Sequence, residues 1–176
     1  MSYRDRLIDR RIASRLSTYQ FTPSGSVRLR KSHVGIVFCG DQLVNHQFVT
    51  KLSQHMQDQY SAHVHQLGFL NKKLDPHVVM GFPHISRSDI SFWGAESNGK
   101  NVELFLQRDY HLLLNLDLDD HPILHQIASQ ASAHHKIGTN PSYPNIYDII
   151  VDISKEEELS NVIEKILDLF LKINQA

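Results

Sequence analysis

The 176-residue sequence is poor in features that would narrow its function quickly. It has one cysteine, Cys39. An intramolecular disulfide is therefore excluded, and a lone thiol suits a reducing compartment. The longest apolar runs are a handful of residues, far short of the ~20 that a membrane span needs. Arg10, Arg11 and Arg15 interrupt the N-terminal region, which lacks the apolar core of a secretory signal, so a cytoplasmic location is expected. Glycine is scarce where phosphates would need it. The turn after the first expected strand has one glycine, Gly40, where a dinucleotide fingerprint has three. No Walker sequence and no Gly-x-Ser-x-Gly elbow is present. No cofactor is predicted.

Charge of one sign is also lacking, with a formal net charge of -1. Nothing global points to nucleic acid or to an acidic ligand. The balance hides an asymmetry. Residues 1–31 hold eight basic side chains (Arg4, Arg6, Arg10, Arg11, Arg15, Arg28, Arg30 and Lys31) against Asp5 and Asp9. The remainder is acidic. A basic helix could touch RNA or an anionic surface. With only Tyr3 and Tyr19 as nearby aromatics, a solvated arginine face paired with the acidic remainder is the favoured reading, and nucleic acid is disfavoured.

What is present is an alternation of strand and helix patterns in a chain long enough for one domain. Residues 3–19 read as a helix, with Leu7, Ile8, Ile12 and Leu16 at helical spacing. Pro23, Ser24 and Gly25 end it. Its stripe is narrow, so it is expected to pack at the domain edge or against a second copy. We therefore divide the chain into a basic amphipathic helix (1–22) and a single α/β domain (23–176).

The first strand is His33–Cys39, apolar and β-branched as a strand buried on both faces should be. A helix from Asp41 to about Tyr60 and a strand at Val64–Leu70 follow. Asn71–Pro76 reads as a polar loop. Between His77 and Gly94 the pattern is weak, with VVMGF or FPHIS as a short edge strand and Ser88–Asp89 as a turn. Asn101–Arg108 is a short helix and Tyr110–Leu116 a central strand. Pro122 suits the first turn of a helix capped by Asp119 or Asp120 and running to about Ala133. His135–Gly138 and Tyr147–Ile153 are the last strands. Ser154 with Glu157 forms a capping box for a final helix carrying Leu159, Val162, Ile163, Ile166, Leu167 and Phe170. The expected fold is a Rossmann-like three-layer α/β/α sandwich, with a mostly parallel sheet of about six strands behind the N-terminal helix.

In such a sheet ligands bind beyond the carboxyl ends of the strands, near the point where strand order reverses. The densest polar cluster at a strand end is Asn115, Asp117, Asp119, Asp120 and His121, with His125 one turn on. His121 and His125 have a spacing that a metal site can use, and the carboxylates could complete it or act as bases. The plainer reading, which we favour, makes Asp119 or Asp120 a helix cap and leaves both histidines solvated. Cys39, Gly40, Asp41, Trp93 and Gly138 are candidate pocket-lining residues. Cys39 in an apolar strand reads as core before it reads as a nucleophile, and Trp93 as a plug at the sheet edge. The twelve histidines show no structural-zinc spacing.

Several segments together resemble a known family: a basic N-terminal helix, HVGIVF, QLGFLNKK, HISRSDISFWG, YHLLLNL, and HHKIG before YDIIVDI. The chain resembles a family of short bacterial proteins, of Bacteroidetes type, catalogued as a domain of unknown function. That resemblance implies no activity, cofactor or site residue. The stretch YHLLLNLDLDDHPILHQIASQASAHHKIG is similar in layout to one Rossmann-like half of heptosyltransferase-type glycosyltransferases, which bears on fold more than on activity. The sequence thus favours a non-enzymatic binding or interaction domain, as a homodimer through the N-terminal helix. The alternative is a nucleotide- or sugar-nucleotide-binding protein or enzyme, with its site at the carboxyl end of the 110–116 strand.

Overall fold

The computed structural model describes residues 2–24, 29–71, 80–91, 99–139, 141–151, 161, 164–166, 168 and 169. The elements are α1 (Tyr3–Leu16), β1 (His33–Cys39), α2 (Leu43–Tyr60), β2 (His63–Leu70), β3 (His84–Ser86), α3 (Lys100–Leu106), β4 (Asp109–Leu116), α4 (Pro122–Gln130), β5 (Ser132–Gly138) and β6 (Ile149–Ile150). Short 3-10 turns lie at Arg87–Asp89 and Pro144–Ile146. Residues 161, 164–166, 168 and 169 are helical. The Ser154–Glu157 capping box, Trp93 and most of the 71–76 loop lie outside the described residues.

The six strands form one sheet in the order β3-β2-β1-β4-β5-β6, with every pair parallel. That is the order of doubly wound dinucleotide-binding folds, and it reverses direction between β1 and β4. Strand alternation sends successive side chains to opposite faces. Val37, Cys39, Leu67, Phe69 and Leu113 pack with Ile8, Ile12 and Leu16 of α1, Phe105 of α3 and Leu124 of α4. Val34, Ile36, Phe38, Leu112, Leu114 and Leu116 pack with Val49, Leu52 and Met56 of α2 and with Ile166. Helices therefore cover both faces.

Burial is uneven along the strands. All of β1 after His33 is buried. In β2 and β5 only the carboxyl-end residues are buried, the last four and the last three respectively. β5 starts three residues earlier than its apolar pattern suggests, because Ser132 and Ala133 pair with β4 without being buried. Among the described residues, the expected edge strand is β3, and the expected Tyr147–Ile153 strand has Ile149–Ile150 in the ladder, with Asp152 and Ile153 outside the described residues.

Helix α1 opens with a reciprocal cap. The Ser2 hydroxyl accepts from the Asp5 N–H at 3.2 Å, and the Ser2 N–H donates to Asp5 at 2.8 Å. Its stripe is spent within the same chain. Ile8 and Ile12 are fully buried and α1 packs on α4. Arg87 grips Asp9 through two bonds of 2.9 and 2.7 Å and lies 3.7 Å from Asp5. The two acids that dilute the basic helix are thereby tied to the sheet. Beyond α1, the Phe21 N–H donates to Asn145 and the Ser24 N–H to His134, so residues 17–24 strap the helix to β5. No described helix is long and apolar enough to cross a membrane.

Candidate functional site

The strand order reverses between β1 and β4, and the carboxyl ends of these strands bring Cys39, Gly40 and Asp41 next to Asn115 and the 117–121 loop. Asn45 at the start of α2 donates through Nδ2 to the Cys39 carbonyl at 3.0 Å, and Asp41 Oδ1 accepts from the Asn71 N–H at 3.0 Å. These bonds fix the β1–α2 turn.

The β4–α4 loop is organised by one carboxylate. Asp117 is fully buried. It accepts from the Asp119 N–H at 3.1 Å, from the His121 N–H, and from His121 Nδ1 at 2.9 Å. A carboxylate can only accept here, so Nδ1 carries the proton and Nε2 is left for another partner. Thr139 Oγ1, just past β5, donates to the Asp117 and Asn115 carbonyls at 2.9 and 3.2 Å. The expected cap is replaced by this arrangement. His121 holds the N-cap position of α4 without a side-chain cap bond, and neither Asp119 nor Asp120 caps the helix. Asp120 adopts φ 58°, the left-handed region, as the loop turns back. The chain folds this way because Asp117 reaches N–H groups two and four residues ahead of it, one in the loop and one at the N-cap of α4, which would otherwise be left unpaired.

Both histidines are inside rather than solvated. The His121 side chain is 15% exposed and His125 is fully buried. Burial pulls the His121 pKa down, but the Asp117 hydrogen bond and charge, with Asp119 and Asp41 behind, outweigh it and raise the value. Its ring lies edge-on to Phe69, 5.3 Å between centroids. Cys39 is buried, and its thiol is pushed up to about 12 by burial and by Asp41, Asp117 and Asp119, against a hydrogen bond from the Asp41 backbone.

A second network lies beside the first. Asn115 Nδ2 donates to the Tyr147 hydroxyl at 2.6 Å, and that oxygen lies 2.7 Å from His125 Nδ1. The Tyr147 hydroxyl donates to Nδ1, which leaves the His125 proton on Nε2, 3.3 Å from Asp120 Oδ1 though off the hydrogen-bonding direction. Burial lowers the His125 pKa, while the Asp117 and Asp120 carboxylates oppose the shift. Asn115 Oδ1 is buried without a partner among the described residues.

The structure thus gathers the predicted residues into two adjacent groups. Cys39, Asp119 and His121 surround one point, their ligand atoms all within 4.8 Å of one another. Asn115 and His125 join Tyr147 instead, so the His121/His125 pair does not converge on a shared ion among the described residues. Gly40 and Gly138 make room for rings: a Cβ on Gly40 would sit 2.9 Å from Phe82, and one on Gly138 2.8 Å from Tyr147. Trp93 and Asn140 lie outside the described residues. Tyr147, Thr139 and Arg87 are the participants that sequence reasoning missed. Thr139 follows a strand end and so had a positional signal, whereas Tyr147 and Arg87 had none. A separate cleft of about 300 Å³, lined by His65, Gln66, Phe82, Asn101 and Arg108 among others, opens on the half-exposed start of β2.

The profile of a family of unknown function, DUF6913, matches residues 4–173. The chain belongs to this family. The DUF6913 match takes in α1 together with the whole sheet, as the shared core does. No curated protein and no solved structure matches the chain.

Proposed function

We propose that this DUF6913 chain is a binding domain that takes a small cationic or uncharged ligand at the carboxyl ends of β1 and β4, without chemistry on that ligand. The observation that carries this reading is the buried Asp117, which spends its carboxylate on presenting His121 beside Cys39 and Asp119 at the strand-order reversal. The groups suited to catalysis are committed elsewhere. A thiol held up to about 12 is not a nucleophile at neutral pH. His125 is walled in with Tyr147 and Asn115.

Charge decides against phosphate. Asp41, Asp117, Asp119 and Asp120 all sit at these strand ends. Arg87, 6.0 Å from the Phe69 ring, is engaged by Asp9 and Asp5. The strand order alone favours the second reading, a nucleotide or sugar-nucleotide site, and the acidic strand ends oppose it. Of the stripe that suggested self-association through α1, Ile8, Ile12 and Leu16 are covered by α4 and the sheet, while Leu7 is half-buried and Tyr3 exposed, which leaves a homodimer through the outer face of α1 as a further proposal. A single buried thiol fits a cytoplasmic setting.

The test is a thermal-shift screen of divalent cations, small amines, polyols, nucleotides and sugar nucleotides on wild type and on the Asp117→Asn variant. The reading expects stabilisation by a cationic or neutral compound, lost in the variant. Stabilisation by nucleotides instead would transfer the site to the second reading, and silence from every class would remove the binding reading altogether.

A further inference from the structure

The geometry points to a site for one divalent transition-metal ion of zinc type, held by the Cys39 sulfur, an Asp119 carboxylate oxygen and His121 Nε2. This rests on the reading of the β1–β4 strand ends as a ligand site and names the ligand class.

Three kinds of donor atom meet there from two segments, the last residue of β1 and the β4–α4 loop. Their ligand atoms lie within 4.8 Å of one another. Zinc bonds of about 2.3 Å to sulfur and about 2.0–2.2 Å to nitrogen and oxygen put tetrahedral ligands roughly 3.3–3.7 Å apart. The cluster therefore needs a contraction of at most about 1.5 Å, within the reach of side-chain rotation. Three protein ligands leave a fourth position for water or a further ligand.

The second observation lies behind the histidine. Metal-bound imidazoles usually donate their other ring N–H to a carboxylate, which fixes the tautomer and aims the free nitrogen. Asp117 does this for His121 at 2.9 Å, and it is fully buried with no solvent-facing role. The sulfur has an outer partner too, the backbone N–H of Asp41. Charge closes the argument. A divalent ion with a Cys39 thiolate and the Asp119 carboxylate is neutral overall, and the thiol proton leaves to solvent on binding. Sulfur and imidazole select zinc-like ions over magnesium and calcium, which prefer oxygen.

The experiment titrates the full metal-depleted chain with Co²⁺, which reports thiolate ligation directly. One Co²⁺ per chain is expected, with a sulfur-to-cobalt charge-transfer band in the near ultraviolet and tetrahedral absorption in the visible. Cys39→Ser should abolish the band and weaken binding about 100-fold. Asp119→Asn should keep the band and weaken binding about tenfold or more. The doubly substituted His33→Ala, His65→Ala chain should bind as wild type does. Melting curves check that each variant is folded, and Asp119→Asn, on an exposed loop residue, guards against a Cys39→Ser chain that fails to fold. The proposal falls if no band forms at stoichiometric cobalt, if Cys39→Ser retains it, or if binding is lost only in the His33/His65 variant. If cobalt fails while a neutral or amine ligand still stabilises wild type but not Asp117→Asn, the metal is wrong and the binding-domain reading stands.

Discussion

The two ends of the sheet carry histidines in opposite settings. At the carboxyl ends, His121 sits among Asp117, Asp119 and Asp41, and its affinity for a proton is raised. At the amino ends, His33 faces His63 across the β1–β2 ladder, and His33 Nδ1 lies 3.1 Å from His65 Nε2. The His111 and His134 rings meet at 5.2 Å between β4 and β5. There His65 is held down to about 4, first by burial and then by Arg108, His33 and His63. Burial lowers the proton affinity at both ends, so the sign of the outcome is set by neighbours: carboxylates above, cations and other imidazoles below. The difference follows from the architecture. Loops at the carboxyl ends fold over the reversal in strand order and bury a carboxylate, while the amino ends are left half-exposed.

The sharpest way to break this contrast is Asp117→Ala. It strips the partner from two loop N–H groups and from the His121 ring, and should cost about 3–5 kcal/mol by denaturant unfolding, the range for uncoupling a buried pair. A loss under about 1 kcal/mol would mean that the loop does not depend on its carboxylate.

The second test is at the other end. The His65 pKa falls from 6.5 to about 4 on folding. Between those values the unfolded chain binds more protons, so this contribution is present above pH 6.5 and is lost as pH falls through about 4. Because the ring is partly exposed, the loss is about 1 kcal/mol after screening. His65→Gln should flatten that part of the acid limb, and NMR should find the His65 ring neutral at pH 5.5.

The smallest effect concerns Lys136, a buried cation between the two ends. Its Nζ lies 4.6 Å from the Phe21 ring centroid and donates to the Ser129 carbonyl at 3.2 Å. Burial lowers its pKa from 10.5 to about 8. The stability it contributes is present above pH 10.5 and is lost as pH falls through about 8. Lys136→Met should therefore be within about 1 kcal/mol of wild type at pH 7, or more stable, and should lack the rise in stability from pH 8 to 10.5. A large loss at pH 7 would show that the charge itself holds the 17–24 strap.

The strands with dense apolar patterns were legible from sequence. β1 matches its expected bounds, and β2 and β4 differ by a residue, because burial on both faces leaves an apolar run through most of β1 and β4 and at the carboxyl end of β2. β3, three residues long, has too little pattern to stand out. The candidate site was legible by position, since Cys39, Asp117, Asp119 and His121 all lie just where two adjacent strands end. Its wiring was not. Cap preference looks only at the residue next to the helix, so it pointed to Asp119 and Asp120 and overlooked the reach of Asp117. His125 read as solvated because α4 was expected to show one polar face. Sandwiched between the sheet and α1, α4 buries Ile123 through Ala128 in succession.

The docking of α1 has a consequence for synthesis of the chain. Helix α1 is made well before the partners on which it settles. Ile8 and Ile12 wait for α4, and the Phe21 N–H waits for the carbonyl of Asn145. At roughly 5–20 residues per second, on the order of ten seconds separates these partners on the ribosome. Throughout that interval an arginine-studded apolar helix is without its native cover, and a nascent-chain chaperone has its best opportunity to engage it.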